Sequence, residues 1–239
     1  MVLRKPCMQT LQNEFQALII GPTGGIGAAL VQTLKADPSC VGVIGLGRST
    51  TPSLDLLDEA SIATCADHLK TNGAPFDLIF DATGGLTLNG IGPEKSLRAI
   101  DPAVMAHQYA VNAIGPALLL KHFSPLLRGD GKSVFATLSA RVGSIGDNSL
   151  GGWIAYRAAK AALNQIVKTS AIEIARKRPG AVVVALHPGT VRTALTEAIA
   201  KTFTHEPDEA ARDLLTVLDT LTPEQSGGFF AYDGSEIPW

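Results

Sequence analysis

Short apolar runs alternate along the chain with longer stretches whose apolar residues recur every three or four positions. The runs Ala17–Ile20, Val41–Leu46, Asp77–Phe80, Ser133–Leu138, Ala181–Leu186 and Gly228–Tyr232 read as strands. They are apolar nearly throughout rather than at alternate positions, the pattern of strands covered on both faces. Between them the periodicity predicts helices over Gly25–Lys35, Asp58–Lys70, Asp101 towards Leu127, Trp153–Lys177 and Asp208–Leu221. In the helix from Trp153, the residues Ala159, Leu163, Ile166, Ser170 and Ile174 keep a step near 3.6. Asp101 is placed to cap its helix, with Pro102 in the first turn. Lys177 and Arg178 suit a negative helix end, and Pro179-Gly180 stops it. No linker, repeat or low-complexity tract interrupts the alternation. The expected architecture is therefore α/β: one Rossmann-like, doubly wound parallel sheet over residues 1–239, with helices on both faces. Ligands of such sheets bind beyond the carboxyl ends of the strands, so the loops there carry the chemistry.

Composition narrows the function. With 46% hydrophobic and 18% charged residues, the 239-residue chain is not a disordered one. Its net charge of −2 gives no basic surface for nonspecific nucleic-acid binding. No uninterrupted apolar run approaches the roughly 20 residues of a membrane span, and the first sixteen residues lack the apolar core of a signal peptide. Cys7, Cys40 and Cys65 form an odd, widely spaced set, which suits a reducing, cytoplasmic compartment. The five histidines show no metal-ligand spacing, so no metal is expected. Of 24 glycines, fifteen fall in residues 21–27, 45–47, 84–92, 143–152 and 189, on loops expected along one edge of the sheet.

The first strand end reads Gly21-Pro22-Thr23-Gly24-Gly25-Ile26-Gly27. A glycine-rich turn that leaves a strand and opens a helix lets backbone approach a pyrophosphate at a positively polarised helix start. The second strand runs into Arg48-Ser49, and no Asp or Glu occurs between Asp37 and Asp55. An acidic residue there would pair with the ribose hydroxyls of NAD, whereas an arginine accommodates the 2′-phosphate of NADP. Arg48, with Ser49, therefore points to NADP(H) over NAD(H); the alternative is a solvated loop arginine. Tyr156 and Lys160 stand four apart on the long helix and share a face. An ammonium beside a phenol favours the phenolate and lowers its pKa, which suits proton exchange with an alcohol or carbonyl.

Taken together, these pieces resemble the classical short-chain dehydrogenases/reductases from about residue 16 onward, in particular the C-factor-like and small carbonyl-reductase-like branch. The resemblance rests on Gly21-x-x-x-Gly25-Ile26-Gly27, Asp55, Asp81-Ala82-Thr83-Gly84, Asn112, Ser139, Tyr156-x-x-x-Lys160 and Pro188-Gly189-Thr190-Val191. It implies a sheet of about seven strands, with Asp55 following a short third strand and contacting the adenine. It implies Tyr156 as general acid/base, Lys160 holding the nicotinamide ribose, and Asn112 maintaining a proton relay. The stretch Ala82-Thr83-Gly84 would contact the cofactor, Pro188, Gly189 and Val191 would border the nicotinamide, and Thr193 would lie near its carboxamide or phosphates. The implied activity is interconversion of a small carbonyl compound and an alcohol by a homodimer or homotetramer. The alternative is a nucleotide-binding regulatory member of the family with little turnover.

Departures from the family pattern bear on the chemistry. Aligned on Gly143, the usual catalytic serine falls on Ala140, so Ser139 or else Ser144 donates to the substrate oxygen, or neither does. Ser139 is the first choice. Pro116 has no N–H for the carbonyl of Asn112, so a helix through this segment bends or ends there. Residues 193–207 are long enough only for a short lid, in which Leu195, Ile199 and Phe203 would cover the substrate or else form the buried stripe of a surface helix. Trp153 and His187 are secondary candidates for the substrate pocket.

Overall fold

The computed structural model describes residues 8–12, 14–197, 200 and 202–239; Cys7 and Ile199 lie outside the described residues. The strands β1 (Phe15–Ile20), β2 (Cys40–Leu46), β3 (Leu78–Asp81), β4 (Ser133–Leu138), β5 (Ala181–His187) and β6 (Phe229–Ala231) form one sheet. Every pairing is parallel and the order is β2-β1-β3-β4-β5-β6. The helices are α1 (Gly25–Lys35), α2 (Glu59–Asn72), α3 (Pro102–Tyr109), α4 (Gly115–Phe123), α5 (Ile154–Ala175) and α6 (Pro207–Thr220).

Successive residues of a strand point to opposite faces, so each inner strand feeds two cores. From β5, Ala181, Val183 and Ala185 join Ile62 of α2, Leu119 of α4 and Leu163 and Val167 of α5. Val182, Val184 and Leu186 join Leu30 and Leu34 of α1 and Leu214 and Leu215 of α6. Each such side chain contributes about 1.5–3 kcal/mol by leaving water, which is why both faces need a helical layer. At the amino end of β3, the fully buried Asp77 carboxylate accepts from Arg128 Nε (2.5 Å), Arg128 Nη2 (3.2 Å) and Gln16 N (2.8 Å).

The sheet has six strands among the described residues, not about seven. No further strand lies between β2 and Asp55. Residues 50–58 spend their backbone groups locally instead: Thr50 N and Leu54 N donate to Gly47 O, Asp55 N donates to Ser61 Oγ, and Asp58 N donates to Asp55 O. Pro52 offers no donor at all. Helix ends shift slightly from expectation. Trp153, in a left-handed conformation with φ 54°, stands just outside α5 as its N-cap. The C-terminal end of α5 comes at Ala175, and Arg178 turns its guanidinium to the carbonyls of Pro125 and Leu127.

Asp101 Oδ1 caps α3 by accepting from Ala103 N and Val104 N, with Pro102 at the first position, as the sequence indicates. Between α3 and α4 the helix widens into a π turn over Ala110–Ile114, closed by Gly115 N donating to Ala110 O. The turn sits just before Pro116. With no N–H at that position to reach Asn112 O, the five-residue spacing is the local solution. Residues Pro102–Leu126 together are long and apolar enough, by length and composition alone, to cross a membrane. The sequence criterion of an uninterrupted apolar run missed this stretch. In this fold its Leu119, Leu120 and Phe123 side chains are spent on the core beneath the sheet.

The chain crosses from β2 past β1 to β3, so the strand order reverses beside β1. The loops after β1, β3, β4 and β5 open on the same side of the sheet, where parallel α/β folds place their ligands.

Candidate active site

A cavity of about 620 Å³ runs along these strand ends. It begins at the β1–α1 turn. Gly21 turns the chain with φ +85°, and Gly24 N donates to Gly21 O at 3.2 Å. A Cβ on Gly27 would lie 2.0 Å from Gly21 O, and one on Gly25 would lie 2.6 Å from Thr193 Cγ2. Two of the turn's glycines are thus fixed by the protein's own packing, Gly27 for α1 against the turn and Gly25 for the segment after β5. Gly24, the N-cap of α1, brings no side-chain cap. Gly24, Gly25 and Ile26 line the cavity, so it ends on a polarised helix start with bare backbone around it. Thr23 is exposed at the tip of the turn.

Arg48 and Ser49 are exposed just past β2, the neighbour of β1. They sit beside the glycine turn, because Gly45 and Gly47 pack on Pro22 with Cβ positions 3.0 and 3.3 Å from its ring. Neither lines the cavity, and nor does Asp55, whose Oδ1 accepts from Leu57 N at 2.9 Å. The structure therefore gathers the glycine turn, Tyr156 and Lys160 around one space and leaves these three residues off its wall.

Ala82, Thr83 and Gly84 line the cavity after β3. The buried Asp81 carboxylate is held by Thr83 N (3.0 Å), Thr83 Oγ1 (2.5 Å) and Thr137 Oγ1 (2.7 Å). Gly84, at φ +134°, leaves space that a Cβ would close to within 3.4 Å of Lys160 Nζ and 3.2 Å of Asn112 Oδ1.

Tyr156 and Lys160 lie on the buried face of α5 and both line the cavity. Lys160 Nζ donates to Leu138 O at 2.8 Å and stands 5.9 Å from the Tyr156 ring centre. Burial pushes the Lys160 ammonium down to about 8, against the opposing pull of Asp81. Burial also raises the Tyr156 phenol above its ordinary value. This departs from the expectation of a lowered phenol: with the ammonium turned to Leu138 O, desolvation of the phenolate dominates. The phenol is held protonated at neutral pH.

Asn112, in the π turn, is fully buried and absent from the cavity wall. Its Oδ1 accepts from Gly85 N at 3.0 Å, and its Nδ2 donates to Gly85 O and to Gln108 Oε1, both at 2.8 Å. The side chain thus fixes the loop that faces Lys160. Ser139 lines the cavity, but its hydroxyl donates to Asn164 Oδ1 at 2.6 Å. Ser144 points elsewhere: its Oγ donates to Pro238 O at 2.5 Å, and it is no part of the cavity wall. Ala140 is on the wall.

Pro188, Gly189, Val191 and Thr193 complete the lining beyond β5. Gly189 has φ +81°, and a Cβ there would meet Thr204 Oγ1 at 2.6 Å. The segment that follows is tied at its base. Thr190 N donates to Thr204 Oγ1, Arg192 N donates to Arg192's neighbour across the loop, His205 O, and Arg192 Nε pairs with Glu206 Oε1 at 2.8 Å. Leu195 lines the cavity, whereas Phe203 packs under the Arg192 guanidinium, 4.2 Å from its ring centre.

Several supporting residues escaped the sequence. Glu94 caps α5 from a distant loop: its Oε1 accepts from Ala155 N at 2.5 Å and its carbonyl from Trp153 N at 2.6 Å. Trp153 in turn meets Tyr156 edge-on, 6.4 Å between ring centres. Gln108 and Asn164 were legible in principle, each four residues from a motif residue on the same helix face.

His187 also lines the cavity. Its Nδ1 is the one buried side-chain polar atom without a hydrogen-bond partner among the described residues. Burial, then the nearby Arg141 charge, pushes its imidazole down to about 4, against an opposing pull from Asp233. An unfolded histidine titrates near 6.5, so between pH 6.5 and about 4 the unfolded chain takes up a proton that folded His187 refuses. This contribution to stability is complete above pH 6.5 and is lost as pH falls towards 4, by at most about 3 kcal/mol. Chemical denaturation at stepped pH should show His187→Leu flattening that acid limb; an identical limb in both proteins would contradict the burial account.

Comparison with known proteins adds an independent line. A family model described as enoyl-(acyl carrier protein) reductase matches residues 25–232. The 1-hydroxy-2-glutathionyl-2-methyl-3-butene dehydrogenase of Rhodococcus sp. (strain AD45) is 32% identical over 194 residues, covering 81% of each chain. C-signal of Myxococcus xanthus is 39% identical over 145 residues, 60% of this chain and 84% of that protein. An NADPH-bound carbonyl reductase from chicken fatty liver superposes with a TM-score of 0.81 at 23% identity, covering 97% of both chains. At that identity the superposition speaks for the fold.

Proposed function

The chain belongs to the short-chain dehydrogenase/reductase family of NAD(P)-dependent oxidoreductases, and we propose that within it the protein interconverts a carbonyl compound and an alcohol with NADP(H) preferred. The observation that carries this reading is one continuous cavity that starts at the bare N-terminus of α1 and ends on Tyr156 and Lys160. The residues present fit a dinucleotide. The space at Gly24 is open to an approaching pyrophosphate, and Gly84 keeps the Lys160 ammonium uncovered. Gly21, Thr23, Gly24, Gly25, Ile26 and Gly27 would hold the phosphates, with Arg48 and Ser49 on the 2′-phosphate and Asp55 towards the adenine. Pro188, Gly189, Val191 and Thr193 would border the nicotinamide. When bound, the cofactor supplies the hydride.

The chain's own residues handle the proton. The protonated Tyr156 phenol donates to the oxygen of a carbonyl lying beside it. The phenolate left behind is stabilised by the Lys160 charge, which stands 5.9 Å from the ring centre and would also be placed to hold the ribose. Asn112 holds Gly85 and with it the loop facing Lys160, so the relay from Lys160 has a fixed floor. Ser139 has one proton and gives it to Asn164. A half-turn of the Asn164 amide would offer Nδ2 to Ser139 Oγ and release that proton for the substrate oxygen. The regulatory reading has one observation in its favour, Ala140 on the cavity wall where the family's serine is expected. Tight NADPH binding without oxidation by any member of a carbonyl panel would support it.

Arg48→Ala tests the cofactor preference. NADPH affinity should fall about tenfold or more, the scale of a lost charge-assisted hydrogen bond, while NADH affinity changes little. Equal losses measured by titration would mean that Arg48 does not read the 2′-phosphate.

A further inference from the structure

The wall where β4 and β5 end is left over by this mechanism. Among the described residues the cavity lining holds two charged side chains, Arg141 and Lys160, and no carboxylate. Lys160 donates to Leu138 O and stands 5.9 Å from the Tyr156 ring centre. Arg141 is engaged with nothing in the cavity. It opens the short 3₁₀ turn Arg141–Gly143 directly after Ala140, and that turn is wedged onto α5: a Cβ on Gly143 would lie 2.7 Å from Lys160 Cβ. The backbone carrying Arg141 is therefore seated on the catalytic helix itself. Its one ion pair uses a single guanidinium nitrogen, Nη1, at 3.4 Å from Asp147 Oδ2, with both side chains more than two-fifths exposed. A pair of that length and exposure contributes little.

His187 stands at the end of β5 on the same cavity, close enough to feel the Arg141 charge. Its unpartnered Nδ1 is an anomaly, because buried polar atoms are normally satisfied, and an exception calls for a missing partner. The carboxylates that act near this pair, Asp147 and Asp233, do not line the cavity, and Asp233 accepts from Ser235 N and Ser235 Oγ. Arg141 and His187 thus line a wall that carries no carboxylate, with apolar Val142 and Trp153 on the same wall.

We propose that Arg141 and His187 form an anion subsite at the substrate end of the cavity, which takes a carboxylate carried by the carbonyl or alcohol substrate. The guanidinium supplies charge and paired donors, and the neutral His187 ring lines the wall beside it without adding a competing carboxylate. Apolar neighbours would hold the body of the substrate between carboxylate and reacting carbonyl. The inference rests on the oxidoreductase reading for the reacting carbonyl, but not for the anion.

The test compares terephthalaldehydic acid with its methyl ester as substrates of the full-length protein, with NADPH consumption as the readout. The free acid should show the higher kcat/KM. Arg141→Met should cut the acid-to-ester ratio about tenfold or more, Arg141→Lys should restore part of it, and His187→Leu should lower it less than Arg141→Met. An ester preferred by the wild type, or a ratio unchanged in Arg141→Met, overturns the subsite. Benzoate binding, read from tryptophan fluorescence with Trp153 on the cavity wall, separates this outcome from failure of the oxidoreductase reading. If no carbonyl is reduced but benzoate quenches saturably and Arg141→Met weakens it about tenfold, the anion subsite stands alone. Absence of saturable benzoate binding to the wild type, in a protein that turns over neither substrate, overturns it.

Discussion

Tyr156→Phe lowers kcat for carbonyl reduction by about 10²–10⁴, the usual worth of a positioned acid, and leaves the Kd for NADPH near the wild-type value. The two effects separate because the phenol oxygen is the only atom removed. The ring stays buried beside Trp153, and Lys160 keeps its bond to Leu138 O. The buried phenol holds its proton, so the loss should appear across neutral pH and not only in acid. Stopped-flow measurement of NADPH oxidation with binding measured separately distinguishes the roles; near-normal reduction by the variant would remove Tyr156 from the mechanism.

Gly27→Ala should be the most damaging small change in the cofactor turn. The new Cβ would sit 2.0 Å from the carbonyl oxygen of Gly21, and neither atom belongs to a flexible side chain. The clash is relieved only by lifting α1 from the turn, which strips Ala29, Leu30 and Leu34 from the core they share with β1. The expected cost is about 3 kcal/mol, the upper range for overpacking, or a fall in Tm of about 6–12 °C for a chain of this size. Cofactor affinity should fall with it, since the same movement displaces Gly24 and Gly25. Gly24→Ala is the contrast: its Cβ would meet only Gly21 O at 3.6 Å. That variant should keep its Tm and lose affinity through the ligand side alone. Equal melting temperatures for Gly27→Ala and the wild type would contradict the packing account.

Much of this molecule can be read along the chain because its elements are locally consistent. The apolar run Ala181–Leu186 has no reading other than a doubly covered strand, and the helix start at Asp101-Pro102 carries its own cap. Pro116 announced a disturbance after Asn112, although only coordinates show that it takes the form of a π turn. What stayed hidden depends on pairs far apart in sequence. Glu94 caps α5 from 61 residues away, and Thr137 holds Asp81 from 56 away; no local period encodes either. The short strand before Asp55 was expected from family resemblance, whereas residues 50–58 close on themselves through side-chain and turn hydrogen bonds. The upward shift of the Tyr156 phenol is hidden from the sequence for a related reason. Four-residue spacing places a lysine beside a tyrosine, but it does not say where the ammonium points or how dry the phenol is.

The central claim is that this cavity brings a nicotinamide and a carbonyl together with Tyr156 as the acid. Its most direct test is isotope transfer: the protein is incubated with NADPH deuterated at the hydride-donating carbon and a panel of aldehydes and ketones, and the alcohols are examined by mass spectrometry. The account predicts an alcohol carrying one deuterium, formed by the wild type and suppressed in Tyr156→Phe. Saturable NADPH binding with no deuterium in any product would contradict it.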